Sequence, residues 1–123
     1  MIRLITLLFF LSSPAFSHEM TPAYPKLVPS YIEGLATTTF TIFNRRQDVE
    51  YYEIQVYDSK WNPINFAAQD KIIQVKYLDK VSVDIYINGK DSKKAMYICS
   101  TSKLKTKDVK YTAVSSRVCS KIK

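Results

Sequence analysis

The side chains that could carry chemistry are few, and their spacing leaves most reactions without a full set. His18 is the only histidine in the chain. An imidazole beside a free terminal amine could contribute to a copper site, but such a brace needs a second imidazole, which the sequence does not hold. We read His18 as a frayed terminal side chain and expect neither a metal nor a cofactor. A Ser-His-acid or Cys-His nucleophile fails on the same inventory, because Cys99 and Cys119 are both read as oxidised. Glu50 and Glu53 lie three apart in a strand-like run, so their carboxylates point to opposite faces. Gly34 and Gly89 are isolated and cannot form a phosphate-cradling loop. The expectation is a protein with no catalytic residues that is not an enzyme.

Non-covalent recognition has more material. Lys103, Lys105, Lys107 and Lys110 cluster at a turn, as a solvated hairpin or as a surface for phosphates or an acidic polysaccharide. Only Tyr111 lies close enough to interleave an aromatic, so a nucleic-acid partner is not expected. Tyr51, Tyr57 and Tyr86 fall on the polar phase of their segments, as an exposed patch or as covered cross-strand pairs. Trp61 sits in a turn, as a plug on the sandwich end or as an exposed anchor, and Pro63 and Ile64 after it favour the plug.

The elements that must position these residues alternate with a period of two. In Lys80–Asn88, Val81, Val83, Ile85 and Ile87 alternate with Ser82, Asp84, Tyr86 and Asn88. Tyr52, Ile54 and Val56 do the same in Glu50–Asp58, as do Phe40 and Ile42 in Thr38–Phe43. Shorter strands are expected at Ile64–Phe66, Ile72–Lys76, Ala95–Thr101 and Tyr111–Lys121. Ala23–Val28 is flanked and interrupted by Pro22, Pro25 and Pro29, which restricts it to an interrupted or bent edge strand. Nine Tyr and six Phe in 123 residues suit half-buried pleated surfaces. Seven or eight short strands with brief connections predict an all-β antiparallel sandwich.

Residues 1–17 read as a secretory signal peptide. Arg3 supplies the positive start, Ile5 to Leu11 the apolar run, and Ala15-Phe16-Ser17 a small-residue cleavage site. The mature chain would start at His18, form one domain over 18–123, and be exported to the periplasm or the extracellular space. No later stretch is long and apolar enough to span a bilayer. The net charge of +7 falls to +6 without Arg3, and it is uneven. Residues His18 to Gly89 carry a net −2, and Lys90 to Lys123 a net +8.

Export would place the cysteines in an oxidising compartment, where one disulfide is expected and two buried free thiols are the alternative. If the last two strands form a hairpin, opposite residues share a constant index sum. Cys99 with Cys119 then centres the turn at residue 109, beside Lys107-Asp108. A bridge across such a loop contributes roughly 3 kcal/mol through loss of unfolded-chain entropy. It would tie the last strand to its neighbour and would not join the two sheets.

Thr39-Phe40-Thr41-Ile42-Phe43-Asn44, then Tyr52 to Asp58 with Trp61-Asn62-Pro63, resembles the N-terminal immunoglobulin-like domain of periplasmic pilus-assembly chaperones (PapD-like). Ile72 to Val75, Val81 to Ile85, Tyr97-Ile98-Cys99 and the basic stretch Ser116 to Lys121 continue the pattern over most of 20–123. The resemblance implies an immunoglobulin-like sandwich that engages another protein, such as a pilin-like subunit, by edge-strand pairing. Its last strand would present Val114, Val118 and Ile122 to the partner. The resemblance also implies a basic pair for a terminal carboxylate, for which Lys26 with Arg117 or Lys121 could stand. Chaperones of this family have two such domains, so the alternative is a structural subunit of a surface appendage or virion. The oligomeric state is not legible.

Overall fold

The computed structural model describes residues 17–103 and 115–123. The predicted signal segment up to residue 16, Val114, and the lysine-rich turn with Lys105, Lys107 and Lys110 lie outside the described residues.

Strand-favouring alternation produces two antiparallel sheets. The first contains β1 (Glu19–Thr21), β2 (Val28–Pro29), β3 (Leu35–Phe43), β6 (Ala67–Ala68) and β8 (Lys80–Asn88), in the order β1-β3-β8-β6 with β2 also on β3. The second contains β4 (Tyr51–Asp58), β5 (Pro63–Ile64), β7 (Ile72–Gln74), β9 (Ala95–Lys103) and β10 (Arg117–Lys121), in the order β10-β9-β4-β5 with β7 on β4. Among the described residues one short helix, α1 (Gly89–Ser92), joins β8 to β9 and is capped by Asn88, whose Oδ1 accepts from the Asp91 amide at 2.9 Å.

The sandwich is as predicted, with the cleanest strand running over the residues expected, Lys80–Asn88. Its inward phase, Val83, Ile85 and Ile87, packs with Phe40 and Ile42 of β3 against Tyr52, Ile54 and Val56 of β4 and Ile98 of β9. Burying these branched side chains between two sheets removes apolar area from water at roughly 25 cal/mol per Å2, the main favourable contribution to the fold.

Among the described residues, ten strands replace the expected seven or eight because two runs divide. Ile64–Phe66, expected as one strand, resolves into β5 on β4 and β6 on β8, so the chain crosses here from one sheet to the other. The proline-rich first strand divides in a similar way. Its ladders with β3 lie on either side of Pro22 and Pro25, at Glu19–Thr21 and Val28–Pro29, rather than over Ala23–Val28. Residues 23–25 lean away to the other sheet, where Ala23 O accepts from Lys121 N at 3.1 Å and Pro25 O from Lys123 N at 3.0 Å. Among the described residues the last strand covers Arg117–Lys121, and the expected start of that strand, residues 111–114, lies outside them.

Cys119 pairs with Cys99 in register, and the two are joined by a disulfide. Both strands belong to one sheet, so the bridge fastens β10 to β9 as anticipated and leaves the two sheets unlinked.

Candidate partner-binding interface

The backbone of β10 fixes which of its groups are available. Ser102 N donates to Ser116 O at 2.9 Å and Ile122 N to Met96 O at 2.7 Å, so even-numbered residues bond inward to β9. Odd-numbered residues direct their N–H and C=O groups to the far side. Lys121 and Lys123 meet the 23–25 segment there. Arg117 and Cys119 meet no backbone partner among the described residues. Among the described residues the edge is therefore closed at its C-terminal half, and its N-terminal half, alongside which β1 runs, has no backbone partner.

Side chains follow the same alternation. Val118 and Ile122 are half-buried and pack on the core. They are placed to hold β10 to the sandwich, which corrects their expected outward display as anchors. Arg117, Cys119 and Lys121 occupy the outer face instead and are exposed. Lys26 is exposed and follows Pro25 beside Lys123, so Lys121 is the nearer of its two suggested partners. Arg117 lies four residues along the strand from Lys121, about 13 Å at strand rise.

The outer face of this sheet also carries an aromatic group that alternation alone did not reveal. Trp61 stacks on Tyr97 with ring centroids 4.1 Å apart and planes 1° from parallel. Tyr57 lies 5.7 Å from Trp61. The Arg117 guanidinium sits over Trp61 at 5.2 Å and over Tyr57 at 5.8 Å. Trp61 is 44% exposed, so the expected plug on the sandwich end is corrected to a half-open platform on the sheet face. The turn explains the placement. Asp58 Oδ1 accepts from Lys60 N at 2.8 Å and Asn62 N at 2.9 Å, winding the chain so that Trp61 adopts φ 65°. A left-handed conformation is uncommon for a bulky residue and must be held by its surroundings. The spaced aromatics Tyr57, Trp61 and Tyr97 were visible in sequence, but their convergence depends on the β4–β9 register, which pairs Tyr57 with Tyr97.

The three tyrosines considered as a patch do not share a surface. Tyr51 and Tyr57 lie on the outer face of the β4 sheet, Tyr86 on that of the β8 sheet, and all are half-buried.

The two acids on the aromatic face are already engaged. Lys103 Nζ lies 2.8 Å from Glu53 Oε2, and this bond together with Gln55 holds the Glu53 carboxyl below its ordinary range. The Asn62 amide, helped by Lys60 and the Asn62 side chain, does the same for Asp58.

His18 was the other surprise. It is only 2% exposed, not frayed. Its Nε2 lies 2.8 Å from Ser100 Oγ and 3.1 Å from Ser100 O, its Nδ1 lies 3.2 Å from Ser116 Oγ, and its ring packs 4.4 Å from Tyr52. Ser100 Oγ donates to Met20 Sδ at 3.1 Å. Facing the Ser100 carbonyl, Nε2 is the donor, and the lowered pKa of the ring favours the neutral form with Nδ1 accepting from the Ser116 hydroxyl. It clamps the start of β1 to β9 and to the residue before β10. Burial holds its pKa below 6.5, the Ser100 backbone bond opposes this, and the nearby Arg46 charge adds to the lowering.

The folded state thus resists a proton that the unfolded chain accepts. Stability contributed by His18 is complete above pH 6.5 and declines as pH falls below it, until the folded-state pKa is reached. Unfolding free energy should drop by up to about 1.4 kcal/mol per pH unit in that window. Denaturant titrations of the wild type and of His18→Phe at pH 7 and pH 5 measure this. The variant should lose most of the difference, and an unchanged difference would remove His18 as its source.

Among the described residues, no group of three or more His, Cys, Asp or Glu side chains could hold a metal ion, and no helix is long and apolar enough to cross a membrane.

No protein-family model matches the sequence, and no curated protein matches it. In structure the chain is similar to the E. coli chaperone DraB, with a TM-score of 0.63 at 13% sequence identity. The likeness covers 87% of this chain and 53% of that one, so this chain spans about half the length of DraB's. The shared feature is the fold, a sandwich of two antiparallel β-sheets.

Proposed function

We propose that the protein is a non-enzymatic, exported binding module that recruits another protein, pilin-like or structural, by adding the partner's strand to β10. The observation that carries this reading is the half-open edge, where Arg117 and Cys119 direct unpaired backbone groups outward among the described residues. Main-chain hydrogen bonds would supply affinity, and the side chains of the outer face would supply choice of partner. The disulfide holds that edge at a fixed place beside β9. It is also compatible with an oxidising compartment. The fold shared with a chaperone points the same way.

A proline at 117 tests the reading, because the Arg117 amide faces the open side and its loss leaves the β9 ladder intact. The probe is the tightest binder from a set of nine-residue peptides alternating apolar and uncharged polar residues, which leave the Arg117 side chain without a carboxylate. Arg117→Pro is expected to abolish its binding, whereas Arg117→Gln, which keeps the amide, retains binding. A folded Arg117→Pro variant that binds as well as the wild type would exclude strand addition at this edge.

A further inference from the structure

The aromatic face beside β10 carries a cation without a carboxylate. The Arg117 guanidinium is spread over two rings, Trp61 and Tyr57, and forms no ion pair among the described residues. Its described acidic neighbours are committed elsewhere. Glu53 is paired with Lys103, and the Asp58 oxygens accept from Lys60 and Asn62 within their own turn. Lys121 adds a second exposed positive charge on the same side of β10.

A guanidinium held over aromatic faces leaves its forked N–H donors available for bidentate contact. The turn holds Trp61 in a left-handed conformation that places the indole beside it, half-open to solvent. Tryptophan, tyrosine and arginine are the residues that most often dominate binding at protein interfaces.

We propose that the outer face built from Arg117, Trp61, Tyr97 and Tyr57 docks an acidic segment of a partner protein, with a carboxylate on the Arg117 fork and an adjoining apolar side chain against the indole. This deepens the reading of the chain as a protein-binding module and does not require strand addition. Charge complementarity selects the occupant. A neutral sugar would leave the fork without a charged acceptor, whereas one stretch of polypeptide can present a carboxylate and an apolar group together.

Trp61 is the only tryptophan, so its fluorescence reports the site directly. The probe is the blocked heptapeptide Gly-Ser-Glu-Leu-Glu-Ser-Gly, compared with the same peptide carrying Gln for both Glu, at low salt on the full protein. The Glu peptide should shift Trp61 emission and bind about tenfold more tightly than the Gln peptide, a charge-assisted bond exchanged for a neutral one. Raising the salt should erode that advantage. Arg117→Gln should remove the preference, and Arg117→Lys should restore only part of it because an ammonium has no planar fork. Equal binding of the two peptides, no emission change with either, or a preference that survives Arg117→Gln would overturn the proposal. A hexuronate oligosaccharide that binds where the Glu peptide does not would overturn it in favour of an acidic glycan. Strand addition can fail separately, since it depends on the Arg117 amide, which Arg117→Gln preserves.

Discussion

Replacing Asn44 with Ala is expected to lower the unfolding free energy by at least about 3 kcal/mol. Asn44 is fully buried at the end of β3, and its amide satisfies four groups. Nδ2 donates to Val49 O at 2.7 Å and Val75 O at 2.8 Å, while Oδ1 accepts from Arg46 N at 2.8 Å and from the Tyr52 hydroxyl at 2.6 Å. Alanine removes the hub and leaves four polar groups without their partner, each costing about 1–3 kcal/mol if no replacement forms. The Tyr52 phenol, pushed up to about 12 chiefly by burial, cannot ionise at neutral pH to relieve its loss. Urea titration of the variant measures the effect. A loss below about 1 kcal/mol would mean that water or a rearranged turn replaces the side chain.

Ile85→Asp should unfold the protein. Ile85 is completely buried in the middle of β8, opposite Thr38 of β3 and Ala68 of β6. An aspartate there loses the apolar contact and places an unpaired carboxylate between the sheets, at a cost of several kcal/mol. A single domain has only about 5–15 kcal/mol to lose. Ser82→Lys, on the other phase of the same strand, should change stability by no more than about 0.5 kcal/mol. Circular dichroism and thermal melting of the pair decide the matter, and a cooperative wild-type melt for Ile85→Asp would contradict the assigned phase.

These two residues mark the reach of the sequence reading. Ile85 was legible because a strand turns every second side chain to one face, so local order alone assigns it inward. The disulfide was legible for a related reason, since hairpin register is arithmetic once the strands are named. Asn44 closes the Thr39–Asn44 run, and nothing in that run marks its role. Its four bonds join segments as far away as Val75, and no local pattern encodes them. His18 was read as frayed from its place near a terminus, but its partners Ser100 and Ser116 are 82 and 98 residues away. The candidate site was half legible. Its basic residues were named, but the inward turn of Val118 and Ile122 follows from the β10–β9 bonding pattern. The stacking of Trp61 on Tyr97 likewise depends on the turn geometry and the β4–β9 pairing.

The most direct test of partner recruitment at β10 is amide hydrogen exchange, residue by residue, with and without the alternating nine-residue peptide. Strand addition predicts that the Arg117 and Cys119 amides become protected on binding, while Val118 and Ser120, already bonded to β9, change little. Protection confined to another edge, such as the Lys80–Asp84 half of β8, or no added protection at Arg117 and Cys119 in the bound state, would contradict the account.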